Sequence, residues 1–154
     1  MTRLCTHVNR ERRIIPEGVE GDSPLKKLTP VYVVDRIEHV LEFWVDRLGF
    51  AKFAEVPEGD SLGFVVLVKD QVEIMYQSLD SVRKDIPALA DPGTGGYPPN
   101  ATYIEVAKLD EIIALLGDWP VLVPKRTTFY GAIEIGVREP GGNLIMFAEQ
   151  PSRE

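Results

Sequence analysis

Leu28-Thr29-Pro30-Val31-Tyr32-Val33-Val34-Asp35, followed by an amphipathic stretch to Trp44 and by Leu48-Gly49-Phe50, is one copy of a pattern that the chain writes twice. The second copy opens with Ala101-Thr102-Tyr103-Ile104-Glu105-Val106, continues through Leu109 to Leu116, and closes with Arg138-Glu139-Pro140-Gly141-Gly142-Asn143 and a final apolar run. In the first copy Val31 and Val33 alternate with Pro30 and Tyr32, as in a strand with two unlike faces. Asp35, with Glu38 three residues on, has the form of a capping box. Ile37, Val40, Leu41, Trp44, Val45 and Leu48 then recur at three- and four-residue spacing up to Gly49, which suits the positive φ of a helix end. The spacing predicts a helix of about three turns. Strands are expected at 51–56, 62–68 and 71–77, divided by Pro57-Glu58-Gly59-Asp60 and Lys69-Asp70.

The second copy repeats that order. A strand at 101–106 leads to a helix capped by Asp110, with Ile112, Ile113, Leu115 and Leu116 on its apolar side and Gly117 after it. Strands follow at 121–127, 131–137 and 144–149, the last two joined by a tight Pro-Gly-Gly-Asn turn. Between the copies, residues 79–100 hold Pro87, Pro92, Pro98 and Pro99 and read as a connector with a short helix around 81–86. Gly93-Thr94-Gly95-Gly96 lacks the Lys-Ser/Thr of a phosphate loop and reads as part of that connector. Residues 1–27 show no periodicity and read as a tail, or an arm laid over a neighbour. The expected organisation is one domain over 28–150, with halves at 28–78 and 101–150.

At 154 residues with 44% apolar content, the chain supports one domain with a proper core. The only cysteine, Cys5, rules out an intrachain disulfide and points to a reducing, cytoplasmic setting. No apolar run reaches the roughly 18 residues of a membrane span, so no membrane partner is expected. The net charge is −7, although residues 1–27 hold six Lys/Arg against four Asp/Glu. The folded part is therefore strongly acidic. Nucleic acid, which needs a basic face, is an unsuitable partner.

The stretches 30–35, 43–50 and 137–143, the last leading into Phe147-Ala148-Glu149, resemble the vicinal oxygen chelate superfamily of glyoxalases, bleomycin-resistance proteins and extradiol dioxygenases. The resemblance implies an α+β fold of two βαβββ modules, whose sheets curl into a concave cleft with helices on the outer faces. Period-two alternation then assigns Val31, Val33, Ile74, Ile104, Val106, Ile133, Ile135, Ile145 and Phe147 to the helices. Tyr32, Glu73, Met75, Gln77, Tyr103, Glu105, Glu134 and Met146 are assigned to the cleft. Phe129-Tyr130 before Gly131 is similar to the aromatic segment that relatives place at the cleft mouth.

Metal-dependent relatives draw ligands from positions that the resemblance sets at Leu28, Glu73, Ala101 and Met146. Glu73 alone is a competent ligand there, and a catalytic site needs about three. His39 falls outside the apolar stripe and reads as a surface residue, which excludes a two-His-one-carboxylate centre. No metal and no cofactor are expected. Glu73 is left as a polar cleft residue, a ligand-binding carboxylate, or a general base if burial and nearby Glu105 or Glu134 raise its pKa. Tyr32 and Tyr103, at equivalent sites, form either a cleft-filling pair or an aromatic sandwich for a flat or cationic molecule. Trp44 reads as helix packing, and Lys125 and Arg126 as an edge-strand charge pair.

The reading favours a metal-independent binding protein over an enzyme. It would sequester a cationic or aromatic small molecule at Tyr32, Glu73, Gln77, Tyr103, Glu105, Phe129, Tyr130 and Glu134, as a homodimer, in the manner of antibiotic-resistance relatives. The alternatives are a lyase or isomerase using Glu73 with Gln77 or Glu105 around an atypical metal, and a dimeric association module whose cleft has closed.

Overall fold

The computed structural model describes residue 24, residues 27–90 and residues 100–152. Most of the arm, including Cys5 and His7, and the connector at 91–99 lie outside the described residues. Module one consists of β1 (Val31–Val34), α1 (Glu38–Leu41) running on as a π-helical turn (Glu42–Arg47), β2 (Ala51–Glu58), β3 (Ser61–Lys69) and β4 (Val72–Ser78). Helices α2 (Leu79–Asp85) and α3 (Pro87–Ala90) follow. Module two consists of β5 (Ala101–Glu105), α4 (Leu109–Leu116), β6 (Val121–Thr127), β7 (Ile133–Arg138) and β8 (Leu144–Glu149). Each sheet has its first strand parallel to its last, in the orders β1-β4-β3-β2 and β5-β8-β7-β6. The βαβββ unit and its repetition are as the sequence predicts. No helix among the described residues is long and apolar enough to cross a membrane.

One buried cluster draws on both modules. Ile37, Val40, Phe43, Trp44 and Leu48 from the first helix meet Val65, Leu67, Ile74 and Tyr76 of its sheet, and Ile104, Leu109, Ile135, Val137, Ile145 and Phe147 of module two join them. Burying such side chains contributes about 1.5–3 kcal/mol each. A polar relay runs through this core. Trp44 Nε1 donates to Tyr76 Oη at 2.8 Å, and Tyr76 Oη donates to Glu139 Oε2 at 3.0 Å. Glu139, fully buried in the β7–β8 turn, also accepts from the backbone N–H of Gly141 and from the backbone and side-chain N–H of Asn143. The carboxylate thus closes its own turn and fastens module two to module one. Burial first, and the Glu139 charge next, push the Tyr76 phenol well above its ordinary pKa.

The first helix departs from expectation at its start and in its π-helical second half, while Gly49 ends it as expected. Asp35 and Glu38 form no capping box. Ile37 precedes the helix without a side-chain cap, and Glu38 Oε1 accepts from the Leu62 backbone N–H at 2.7 Å, tying the helix to β3. That bond is the main reason the Glu38 carboxyl lies below its usual pKa. In the π-helical turn, Leu48 N–H reaches back to the Phe43 carbonyl, and Phe43 and Trp44 are both fully buried with their rings edge-on at 5.0 Å. Gly49 ends the segment at φ +76°. In module two the cap is also supplied from afar: Leu109 N–H donates to Glu149 Oε2 at 2.7 Å, and Asp110 sits in the first turn instead of before it.

The side-chain phase of β1 is the main correction. Val31 pairs with Met75 and Tyr32 with Tyr76, so Tyr32 and Val34 point into the core, and Val31 and Val33 lie on the open face. Tyr32 is 4% exposed, its ring is 5.3 Å from that of Tyr76, and its hydroxyl is bonded to that of Thr102 in module two. It is a core residue at the module boundary, and not a cleft residue.

Candidate functional site

The faces turned away from the helices carry the candidate residues. In module one, Glu73, Met75 and Gln77 of β4 align with Val68, Val66 and Phe64 of β3. Each end of this face is occupied. At one end, α2 folds across it: Gln77 Nε2 donates to Ser81 Oγ and Asp85 Oδ2, both at 3.1 Å, and Val82 is fully buried. A bulge at Gly63, where the β2–β3 register slips, makes room, since a side chain there would lie 3.3 Å from Ser81 Cβ. Gln77 is thereby a structural residue with its amide spent on α2.

At the other end stands Glu73. Thr29 Oγ1 donates to its Oε1 at 3.0 Å, and Lys27 Nζ lies 2.6 Å from its Oε2. The Lys27 ammonium, partly opposed by desolvation and helped by Thr29, holds the Glu73 carboxyl below its usual pKa. A general base needs the opposite shift, so the raised pKa entertained for Glu73 is overturned. Leu28, which the resemblance set at a ligand position, is 89% exposed and takes no part; Thr29 is the residue that meets Glu73.

In module two, Tyr103 pairs with Met146 and is 48% exposed. Its hydroxyl accepts from Gln150 Nε2 at 2.8 Å and is hydrogen-bonded to Tyr130. Partial burial first, and the Tyr130 hydroxyl next, raise the Tyr103 pKa, so the phenol is neutral at pH 7. Phe129 projects from the adjoining loop, 94% exposed, with its ring edge-on to Tyr130 at 5.0 Å. Gly136 lies beneath Met146 and Val123, and its lack of a side chain lets the methionine lie flat on the sheet. Glu134 is buried beside these aromatics, and its Oε1 accepts from Arg126 Nε at 2.8 Å and Nη2 at 2.7 Å. Arg126 is therefore a partner for the face, while Lys125 pairs with Asp110 at 2.9 Å. Glu105, exposed and two residues after Tyr103 on the same face of β5, pairs with Ala148, which pairs in turn with Glu134; it also borders a cavity of about 450 Å³ between the β3–β4 turn and α4.

The structure thus brings Tyr103, Tyr130, Phe129 and Glu134 together. It assigns Tyr32 to the core, Gln77 to α2 and Glu73 to the face of module one, and keeps Glu105 on the Tyr103 face in the row of Glu134. Lys27, Thr29 and Gln150 escaped the sequence reading, since nothing in their spacing ties them to partners far along the chain, and Arg126, read there as an edge-strand charge, is the partner of Glu134.

No protein-family profile matches the sequence, and no curated protein matches it. Solved structures do. A glyoxalase/bleomycin resistance protein/dioxygenase from Nocardioides superposes with a TM-score of 0.63 at 14% identity, over 86% of this chain and 91% of its own. TioX from Micromonospora sp. ML1 superposes at 0.66 and 14%, over 82% of this chain and 100% of its own. The chain has the vicinal oxygen chelate fold. A lactoylglutathione lyase from Agrobacterium tumefaciens, at 0.63 and 15% identity, covers 82% of this chain and 96% of its own, so the fold is shared with an enzyme as well.

A divalent metal does not fit the residues at the positions that the resemblance assigned to ligands. Leu28 faces away; Thr29, which meets Glu73 instead, offers only a neutral hydroxyl; Ala101 offers no donor atom; Met146 offers a thioether; and both oxygens of Glu73 are engaged. Among the described residues no three His, Cys, Asp or Glu converge on a point that could hold a metal.

Proposed function

We propose that the protein is a metal-independent small-molecule binding protein whose ligand lies on the open faces of the two sheets. The observation that carries this reading is the pairing of a metal-incompetent ligand set with an exposed aromatic platform, Tyr103, Tyr130 and Phe129, backed by Met146. Offset or edge-on contacts with a planar ligand contribute about 0.5–1.5 kcal/mol per ring beyond burial.

The electrostatics refine the ligand class. A cationic ligand gains most from unpaired carboxylates, but Glu134 is neutralised by Arg126 and Glu73 by Lys27. The aromatic part of the expectation keeps its support, and the cationic part falls largely to exposed Glu105.

We further propose a homodimer, with the face of module one closed by that of module two from a second copy. Support comes from the edge strands. β2 is exposed on both sides along nearly its whole length, with Phe53 77% exposed, and β6 presents Val121 and Leu122. Exposed apolar edge strands are uncommon in monomers unless covered.

The test is a thermal-shift titration with a cationic glycopeptide of the bleomycin type and with 2-naphthamide, a neutral flat aromatic, on wild type and Tyr103→Ala. Saturable stabilisation by either compound that Tyr103→Ala removes is expected. Stabilisation by divalent metals that Glu73→Ala abolishes would favour an enzyme instead.

A further inference from the structure

The Lys27–Glu73 pair stands where the fold's metal-dependent members need a cation, and the cation here belongs to the chain itself. We propose that the Lys27 ammonium is a resident binding cation that recognises an anionic oxygen, a carboxylate above all, on an otherwise apolar small molecule. This rests on the reading of the open faces as a ligand site and names the chemistry of its module-one end.

Three observations carry the proposal. An ammonium has three N–H donors, and Glu73 Oε2 is the one acceptor that Lys27 meets among the described residues. Its side chain is 55% exposed, so it remains accessible to a ligand, while that of Glu73 is only 19% exposed. The ammonium is also held in place. Thr29 orients the carboxylate, and the Pro30 carbonyl accepts from Met75 N–H at 3.0 Å, fixing the backbone that carries Lys27 to the edge of the sheet. A donor already positioned loses less entropy on binding than a freely moving lysine. Beside it on the same face lie Val31, half exposed, and Met75, which pair across β1 and β4. A ligand taken here meets an apolar surface and a cation together. The net charge of −7 opposes anions in general, but at physiological salt that field is screened beyond about 8 Å, whereas the ammonium acts at contact.

The experiment compares 2-naphthoate with 2-naphthamide, which share shape and differ in charge, by calorimetric titration of the full chain. Wild type, Lys27→Met and Lys27→Arg are used, with far-ultraviolet dichroism to verify folding. The expected result is a preference for the carboxylate of about tenfold in wild type, retained in Lys27→Arg and abolished in Lys27→Met, with amide affinity unchanged throughout. Equal affinity for the two compounds in wild type, or a preference that survives Lys27→Met, overturns the inference. If 2-naphthoate does not bind while a Tyr103-dependent response to 2-naphthamide persists, the inference fails and the binding reading stands. Loss of both responses overturns both.

Discussion

Tyr32 and Tyr103 sit in the first strands of the two modules, and their surroundings are opposites. Tyr32 is sealed against Tyr76 and Thr102 at the module boundary, while Tyr103 stands half exposed over Met146 with Tyr130 and Gln150 at its hydroxyl. Strand register is the cause. The residue that faces the methionine of the last strand is Val31 in module one and Tyr103 in module two. Offsetting a strand by one residue exchanges its faces. The modules share a backbone plan, yet module one spends its aromatic on the core and covers one end of its open face with α2, while module two keeps its aromatics outside. Duplication thus supplies two sheets, and side-chain phase decides which one can offer a flat surface to a ligand.

Truncating the two tyrosines gives the widest separation. Tyr32→Ala should cost about 3–5 kcal/mol in urea unfolding, the range for deleting a buried ring. Tyr103→Ala should stay within about 1 kcal/mol, as for surface changes, while removing the ligand response. Similar costs for both would break the contrast.

Next in size is Glu139→Ala. It deprives Tyr76 Oη, the Gly141 N–H and two donors of Asn143 of their acceptor in a dry site, at about 3 kcal/mol or more. Because the relay crosses from one module to the other, denaturation monitored at Trp44 and at module-two amides should remain a single transition at a lower midpoint. A large stability loss confined to module two would show that the relay does not join them.

A third comparison uses Val66 and Gly136, each paired with the methionine of its own module. Gly136→Ala would place a Cβ 2.5 Å from Met146 Sδ and 2.9 Å from Val123. The expected cost is about 1–3 kcal/mol, together with a changed environment at Tyr103. Module one accommodates valine at the matching place, so an innocuous Gly136→Ala would mean the module-two face is looser than its contacts imply.

The smallest effect is in pH dependence. The folded pKa of Glu73 is depressed, so its contribution to stability is complete above the unfolded value near 4.5 and disappears as pH falls through the lower folded value. A carboxyl-detected NMR titration should place the Glu73 midpoint below that of exposed glutamates. Lys27→Met should move it upward, and an unmoved midpoint would remove Lys27 as the cause.

Much of this architecture was legible in the residues. Element order, the bounds of α4 and the βαβββ repeat follow from apolar spacing and turn residues, which are local properties. Features set by distant partners were not legible. Glu38 looks like a cap because it follows Asp35 by three, yet its carboxylate reaches across to Leu62, and α4 is capped by Glu149 from the last strand. Alternation in β1 was ambiguous because Val31, Tyr32, Val33 and Val34 are all apolar enough for either face, and pairing with β4 settles the phase. In the candidate site, Tyr103, Tyr130 and Phe129 were identifiable as aromatics flanking one face. The ion pairs that neutralise Glu73 and Glu134 were not, since they depend on how Lys27 and Arg126 fold back over the sheets.

The claim on which most depends is that the chain binds its ligand without a metal. Elemental analysis of the full chain, purified without chelator and without affinity metal, tests it most directly. The expected result is no stoichiometric divalent metal. One metal per chain in the wild type, lost in Glu73→Ala, would contradict the claim and return the protein to the metal-using side of its fold.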